Sequence, residues 1–272
     1  MFKITVFLAV FLWPFSSFAL ESPWKSADYV QVKLSGAVEG VGQEAQIDAA
    51  LEVQLAKGWH SYWRMPGDGG LAPVFDWSAS ENVEDVELSW PVPRRYIEEG
   101  LNSFGYEDRV AFPLRVKIAS PGKAAKLDLK AAIMVCERIC VPQDVAVALE
   151  IPAAAAVQSR TSALIGRMHD KVPHKGDLPG LRIDSAVIGP DALVVRVYAQ
   201  RGFDNVDLFV ESGDLYLTAA PEITPDKDDA RAAFLRIARP ESIENLASEL
   251  MGRTLTLTLT DGAQAMEKDF PL

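Results

Sequence analysis

The amino-acid sequence predicts an all-β protein with two β-sandwich domains joined by a short helix and linker, with one further short helix in the second domain. Three observations support this prediction. Apolar and polar residues alternate along many segments, with the period of half-buried strands. Clusters of Gly, Pro and Asp separate these segments at short intervals, which is typical of sandwiches. All six tryptophans lie at or before Trp90, so the two halves have different cores.

The chain begins with a predicted secretory signal peptide, residues 1–19. Lys3 is the only charge before an apolar run from Ile4 to Phe15, and small residues follow where a signal peptidase would cut. A membrane anchor is the less favoured alternative, because the run is shorter than the roughly 20 residues of a spanning helix. We therefore expect an exported protein without a transmembrane span, in an oxidising compartment where thiols pair.

The overall composition is typical of an ordinary folded protein. Of the 272 residues, 49% are hydrophobic and 24% are charged, which is enough to build a core. The chain has 27 Lys and Arg against 38 Asp and Glu, for a formal net charge of −11. This acidic balance argues against a nucleic-acid partner or an anionic membrane surface.

The first sandwich is predicted over residues 20–157. Its clearest strand is AQIDAALEVQLA, in which apolar residues from Ile47 to Leu55 alternate with polar ones. The other strand candidates of this domain are YVQVKL, RVAFPLRVKI, KLDLKAAIMV and VAVALEI.

A helix and linker are predicted over residues 158–177. Leu164, Met168 and Val172 recur at helical spacing before Pro173 and the glycines that follow it end any regular element.

The second sandwich is predicted over residues 178–272. RTLTLTLTDG alternates leucines with threonines up to an Asp261-Gly262 turn, which is typical of a strand entering a hairpin. PESIENLASELMG predicts the second helix, with Gly252 as its C-terminal cap. The other strand candidates are LRIDSAVI, ALVVRVYA and VDLFVE.

Both cysteines lie in the segment AIMVCERICVPQD, residues 131–143. In a helix, Cys136 and Cys140 would have Cβ atoms roughly 5–6 Å apart, wider than the roughly 3.8 Å of a disulfide. The flanking residues favour strands instead, so Glu137-Arg138-Ile139 is predicted to be a hairpin tip. Cysteines that face each other across such a tip can form a disulfide.

Three roles remain open for this pair. A loop this short contributes only about 2 kcal/mol in the chain-entropy model, so a structural bridge is less favoured than exchange chemistry. A closed zinc site needs four ligands, and His60, His169 and His174 lie in separate segments. Two thiolates alone suit Cu(I), but the spacing does not require it. No metal and no cofactor are expected.

Four ordered motifs resemble one known family. They are GWHSYWRMPGDGG (58–70), LSWPVPRR (88–95), FGYEDRVAFPLRV (104–116) and MVCERICVP (134–142). Together they resemble the N-terminal periplasmic domain of the DsbD and ScsB thiol:disulfide interchange proteins, across residues 28–152. VDLFVE fits the second β-domain of the ScsB branch, and so does the spacing of three residues between the cysteines.

The resemblance implies a fold, a location and a function. Both sandwiches would be immunoglobulin-like and periplasmic, and the protein would be a protein-disulfide reductase component. The pair would take electrons from a thioredoxin-like redox protein or a separate membrane electron transporter. It would pass them to exported substrate proteins that bear disulfides. Family members continue into a membrane domain and a thioredoxin-like domain that this sequence does not show, so the donor is expected to be a separate protein. The resemblance also implies that Cys140 is the nucleophile and Cys136 the resolving cysteine.

Other residues are placed near the pair by the same motifs. His60 and Tyr62 match a segment that lies beside the cysteines in the family, where an imidazole could assist proton transfer. The alternative for His60 is an ordinary strand residue. Phe104 is the candidate for the aromatic tip of a shielding loop in EEGLNSFGYED, with Gly100 and Gly105 as hinges. The alternative is that Phe104 and Tyr106 begin a strand.

The remaining site predictions come from residue type. Arg138 adds a positive charge that favours a thiolate, and Glu137 opposes it. Trp59, Trp63 and Trp77 are expected in the core. Gly67-Asp68-Gly69-Gly70 is expected to be a turn, because no Lys-Ser/Thr and no helix follow it as in a phosphate-binding loop.

The alternative function belongs to a different class. It is an exported, non-enzymatic binding or assembly module with a permanent disulfide, with copper association left open. A hydrolase is less favoured, because no Ser or Cys nucleophile has a histidine and a carboxylate at a recognisable spacing.

Overall fold

The computed structural model describes residues 20–98 and 100–272. The predicted signal peptide, residues 1–19, lies outside the described residues. The described part is built from β-strands with two short helices, so the all-β prediction is confirmed. No helix among the described residues has the length and apolar character needed to cross a membrane.

All five strand candidates that the sequence indicated for the first sandwich form strands. The strands up to residue 151 are β1 (Leu20–Glu21), β2 (Lys25–Ser26), β3 (Val30–Gly36), β4 (Gln46–Leu55), β5 (His60–Gly67), β6 (Val74–Asp76), β7 (Val83–Leu88), β8 (Arg94–Glu98), β9 (Leu101–Glu107), β10 (Arg109–Ile118), β11 (Ala125–Cys136) and β12 (Cys140–Ile151). They form two sheets of six strands. One has the order β1-β3-β4-β10-β7, with β2 beside β3. The other, called the disulfide sheet below, has the order β12-β11-β5-β9-β8, with β6 beside β11.

Helix α1 (Ser162–His169) follows the first sandwich. The sequence predicted a helix here with Leu164, Met168 and Val172 on its apolar face. The structure buries Ile165 and Met168 against Ala50, whereas Leu164 is 40% exposed and Val172 lies beyond the end of the helix. Helix α1 ends at His169, so it is too short to place Val172 on the predicted apolar face.

The second sandwich has a sheet of five strands and a sheet of four. Its elements are β13 (His174–Lys175), β14 (Leu181–Ile188), β15 (Ala192–Ala199), β16 (Val206–Ser212), β17 (Leu215–Leu217), β18 (Glu222–Pro225), β19 (Ala232–Ala238), α2 (Leu246–Leu250), β20 (Thr254–Asp261) and β21 (Gln264–Pro271). The sheet orders are β13-β21-β20-β16-β17 and β14-β15-β19-β18. The domain boundaries at residues 157 and 178 stay a prediction.

Helix α2 is shorter than the sequence pattern predicted. The Asn245 side chain accepts a hydrogen bond from the Ser248 backbone N–H at 3.0 Å, which caps the helix and starts it at Leu246. Gly252 has a φ of +75° just past the helix end, as predicted for a C-terminal glycine.

Each sandwich has its own apolar core, but one fully buried residue of the second sandwich belongs to the core of the first. Phe209 of β16 is 1% exposed and packs within the core of the first sandwich, edge-to-face against Trp63 and Phe104. The two sandwiches therefore meet through a buried aromatic contact beside strand β5.

Candidate functional site

The cysteines lie at the end of a long hairpin. Strands β11 and β12 pair in register from Ala125 and Ile151 up to Cys136 and Cys140, and the turn between the cysteines is the exposed tip. The two cysteines form a disulfide, with Cα atoms 4.1 Å apart. The predicted hairpin is confirmed. Pro142 is tolerated in β12 because this strand is the edge of the sheet, where a missing N–H donor costs little.

The two sulfur-bearing residues differ in exposure. Cys136 lies between β12 and β5 and is only 2% exposed. Cys140 lies on the edge strand and is exposed, as is the neighbouring Ile139 at 70%. Exchange requires that an incoming thiolate reach a sulfur along the S–S axis, and Cys140 is the more accessible of the two residues.

Strand β5 places polar groups beside the buried cysteine. His60 is the register partner of Cys136, and Tyr62 lies two residues further along the same face. The Tyr62 hydroxyl is 2.8 Å from Cys136 Sγ and 3.5 Å from Cys140 Sγ. A phenol can donate a hydrogen bond to a thiolate, and such a bond to a charged acceptor is stronger than one to a neutral sulfur.

His60 belongs to an aromatic group next to the disulfide. Its ring is 5% exposed, lies edge-to-face with Tyr62 at 5.5 Å and stacks on Tyr96 at 5.3 Å. His60 and Tyr62 come from β5 and Tyr96 comes from β8, so two strands of the disulfide sheet contribute to this group. The role predicted for His60 in proton transfer stays a prediction.

The Tyr62 ring is supported by the turn that follows β5. Gly70 has a φ of +84°, and a Cβ placed on it would lie 2.1 Å from Tyr62 Cζ. Only glycine therefore allows the backbone to pack this closely on the ring. The segment from Gly67 to Gly70 is a turn, as predicted, and its packing on Tyr62 is a feature that the sequence pattern did not indicate.

Comparison with known proteins identifies the first sandwich. The sequence profile described as "Thiol:disulfide interchange protein DsbD, N-terminal" matches residues 28–152. Residues 28–152 are a DsbD N-terminal domain. Residues 171–272 match a domain of unknown function, DUF8393. No curated protein sequence matches the chain.

Solved structures support the fold of the whole described chain. The N-terminal periplasmic domain of ScsB from Proteus mirabilis matches with a TM-score of 0.70 and 21% identity, over 93% of this chain and 98% of that chain. This likeness shows that the two sandwiches, the DsbD N-terminal domain and the second sandwich, have the same immunoglobulin-like fold as the ScsB structure. A marsupial T cell receptor matches over 90% of this chain and 97% of that chain at 10% identity, but its TM-score of 0.24 is too low to indicate a shared fold.

The shielding role predicted for Phe104 in the DsbD N-terminal domain is corrected by the structure. Most of EEGLNSFGYED forms the β8–β9 hairpin and not a flexible loop. Phe104 is fully buried, between the Arg95 guanidinium at 4.7 Å and the Phe209 ring. The strand alternative for this residue was therefore the better one, because Phe104 completes the contact between the sandwiches.

The predicted hinge glycines also have other roles. A Cβ on Gly105 would lie 1.8 Å from the Ser61 carbonyl oxygen, so this glycine allows β9 to approach β5 closely. Gly105 is thus a packing requirement and not a hinge. Gly100, with a φ of +85°, lies at the β8–β9 turn, where left-handed backbone favours glycine.

Neither Tyr106 nor Arg138 is among the side chains described above beside the sulfurs. Tyr106 faces the core, on the side of the sheet opposite Cys136, and donates a hydrogen bond to the Pro91 carbonyl at 2.8 Å. Burial raises the pKa of Tyr106 well above its usual value. Arg138 is exposed at the hairpin tip, and its effect on the thiols stays a prediction.

The three tryptophans expected in the core lie in it or pack against it. Trp63 is fully buried, while Trp59 and Trp77 are partly buried and pack against the same core. Trp59 also stacks on Tyr29 at 3.9 Å.

The sequence pattern does not indicate the partly buried ion pairs that join the DsbD N-terminal domain to the second sandwich. Arg64 donates to Glu211 from Nε at 3.1 Å and from Nη2 at 2.7 Å, and it also contacts Glu267. Burial alone would lower the pKa of Arg64, but the two carboxylates raise the pKa above its usual value. Arg95 binds Asp207 with two parallel hydrogen bonds, at 3.0 Å and 2.9 Å.

The described residues contain no group of three or more His, Cys, Asp or Glu side chains placed to hold a metal ion.

Proposed function

We propose that the Cys136–Cys140 pair performs thiol–disulfide exchange in the periplasm. In this proposal it relays electrons from a thioredoxin-like or membrane donor to exported proteins that bear disulfides. The difference in exposure between the two cysteines carries the proposal: Cys140 is open to an incoming thiolate, while Cys136 is 2% exposed beside the Tyr62 hydroxyl. Membership of residues 28–152 in the DsbD N-terminal family supports the reaction class.

The reducing half of the cycle starts with a donor thiolate that attacks Cys140 Sγ. The S–S bond breaks, a mixed disulfide forms between the donor and Cys140, and Cys136 leaves as a thiolate. The Tyr62 hydroxyl, 2.8 Å from that sulfur, stabilises the negative charge. A second donor thiolate then attacks the donor's own sulfur in the mixed disulfide, which releases Cys140 and oxidises the donor.

The oxidising half repeats these steps with the substrate. Cys140 thiolate attacks a substrate disulfide and forms a mixed disulfide, and one substrate thiolate leaves. Cys136 then attacks Cys140 Sγ, which restores the disulfide and releases the second substrate thiolate. Two electrons pass from donor to substrate per cycle. Cys140 is thus the nucleophile and Cys136 the resolving cysteine.

The disulfide is a poor structural staple in this position. The closed loop has a sequence separation of 4. The chain-entropy model gives a loop of this size only about 2 kcal/mol. Two six-stranded sheets around a shared core supply the stability of the first sandwich without it.

The proposal is tested by trapping the mixed disulfide. Without the resolving cysteine, Cys136→Ser should accumulate a covalent adduct with a periplasmic thioredoxin-like protein through Cys140, visible on a non-reducing gel and lost on reduction. Cys140→Ser is the matched control and should trap little. Adducts that form mainly through Cys136 would reverse the two roles. Failure of both variants to trap any partner, with a bond that stays oxidised in strongly reducing buffers, would favour a permanent disulfide in a binding module.

A further inference from the structure

The second sandwich reaches the turn that supports Tyr62. Thr218, which follows strand β17, donates a hydrogen bond from Oγ1 to Asp68 Oδ1 at 2.6 Å. The other carboxylate oxygen of Asp68 accepts from the Asn102 backbone N–H at 2.8 Å, and the Asp68 N–H donates to the Asn102 carbonyl at 2.7 Å. Asp68 therefore fastens the turn to β9 on one side and to the second sandwich on the other.

The same turn reaches the sulfurs through one ring. Gly70, two residues after Asp68, packs its backbone on the Tyr62 ring. The hydroxyl of that ring contacts both sulfurs, at 2.8 Å and 3.5 Å. A continuous series of contacts thus joins Thr218 to the disulfide through Asp68, Gly70 and Tyr62.

Thr218 is itself held firmly. Its backbone carbonyl accepts a hydrogen bond from Arg95, whose guanidinium also binds both oxygens of Asp207. The Arg95 side chain is 9% exposed and that of Asp207 is 24% exposed, so these charge-assisted bonds are partly shielded from water. Arg64, two residues after Tyr62, ties strand β5 to Glu211 of the second sandwich. These partly buried ion pairs hold Thr218 in position relative to Tyr62.

We propose that the second sandwich tunes the disulfide of the first, and that Thr218 is its positioning residue. By holding the Asp68 turn against the Tyr62 ring, Thr218 keeps the Tyr62 hydroxyl at the sulfurs, where it stabilises the thiolate of the reduced form. The inference rests on the proposed function, because it takes reduction of this pair as the reaction that matters. Thr218 touches neither sulfur and acts only through Tyr62.

The test removes the Thr218 hydroxyl without changing the size of the side chain. Thr218→Val should lower the equilibrium constant for reduction of the disulfide by dithiothreitol about three-fold, since part of one hydrogen bond to a charged sulfur is lost. Thr218→Ser keeps the donor and should restore the wild-type constant. Thr256→Val is the matched control, because Thr256 also donates to an aspartate, Asp269, at 2.7 Å but inside the second sandwich.

Two further measurements separate positioning from a general loss of structure. Denaturant unfolding should show similar losses of stability for Thr218→Val and Thr256→Val, with only the former changing the reduction equilibrium. In a double-mutant cycle, Thr218→Val should have no further effect in the Tyr62→Phe protein, because both changes act through one hydroxyl. An unchanged equilibrium constant for Thr218→Val, or a full effect in the Tyr62→Phe background, would overturn the inference.

The result is independent of the partner-trapping experiment. Reduction by a small dithiol needs no protein partner. A shifted equilibrium together with failed trapping would refute the relay and leave the positioning role standing. Successful trapping with an unshifted equilibrium would refute the positioning role alone.

Discussion

Replacing Tyr62 by phenylalanine removes the hydroxyl that contacts the disulfide and changes nothing else in the ring. In the oxidised protein this hydroxyl meets a neutral sulfur at 2.8 Å. After reduction it can donate to the Cys136 thiolate at the same place. Because the bond strengthens when the sulfur carries a charge, the hydroxyl favours the reduced form over the oxidised one.

The size of the effect follows from the two kinds of hydrogen bond. A bond to a charged acceptor contributes about 1.5–3 kcal/mol, against about 0.5–1.5 kcal/mol for a neutral one. The reduced form of Tyr62→Phe should therefore lose about 1.5 kcal/mol relative to the oxidised form. For a two-electron couple this corresponds to a reduction potential about 30 mV more negative.

The potential is measured by equilibrating the protein with graded glutathione or dithiothreitol buffers and then alkylating the free thiols. Tyr106→Phe is the matched control, because it removes a buried hydroxyl bonded to Pro91 on the opposite face of the sheet. The shift of Tyr62→Phe should shrink at low pH, where the reduced sulfurs are protonated. If Tyr62→Phe and Tyr106→Phe have the same potential as the wild type at every pH, the hydroxyl does not stabilise the thiolate.

Three further predictions concern stability. Replacing both Cys136 and Cys140 by Ser should lower the free energy of unfolding by no more than about 2 kcal/mol in denaturant titrations, and a much larger loss would indicate a structural bridge. Phe209→Ala should cost about 3–5 kcal/mol by the same assay, because it empties a buried aromatic site between the sandwiches; a loss near zero would contradict the shared core. Burial opposes the charge of Glu267, but Lys175 and Arg64 lower the pKa of its carboxyl below the usual value. The ionised carboxylate therefore stabilises the fold at pH values above the unfolded pKa of about 4.3. This stabilisation is lost as the pH falls through the lower pKa of the folded state. Glu267→Gln should therefore lose less stability than the wild type on acidification below about pH 4. Equal losses would show that the Glu267 carboxylate does not stabilise the fold.

The strands that the sequence predicted share one physical property. Each buries one face in a core and leaves only part of the other face accessible to water, so apolar and polar residues alternate along it; Ala50 of β4, which helix α1 covers, is one of the residues buried on the second face. The alternating segments of β4 and β20 form strands that pair with a neighbour along the chain, β3 and β21 respectively, and the β11–β12 hairpin forms at the predicted tip. Local patterns were sufficient here, because hairpin pairing joins residues that are near each other in sequence.

The contacts between the sandwiches could not be predicted in the same way. Arg64 and Glu267 are separated by 203 residues, and a single charged residue on a strand gives no sign of its distant partner. Phe104 was misassigned for the same reason: its neighbour Phe209 comes from the other sandwich. The support of Tyr62 by Gly70 also depends on a turn folding back, which periodicity does not report.

A pair that cycles must leave the fold unchanged in both oxidation states. The hairpin meets this requirement, because Cys136 and Cys140 close the end of a ladder that is already paired along its whole length down to Ala125 and Ile151. We therefore expect that breaking the S–S bond frees only the exposed tip and that the Tyr62 hydroxyl, 2.8 Å from Cys136 Sγ in the disulfide form, stays beside the buried sulfur. The free energy of the reaction is therefore set by contacts to the sulfurs and not by refolding of the domain. For this reason a single hydrogen bond at Tyr62, or one at Thr218 behind it, is expected to be visible in the reduction potential.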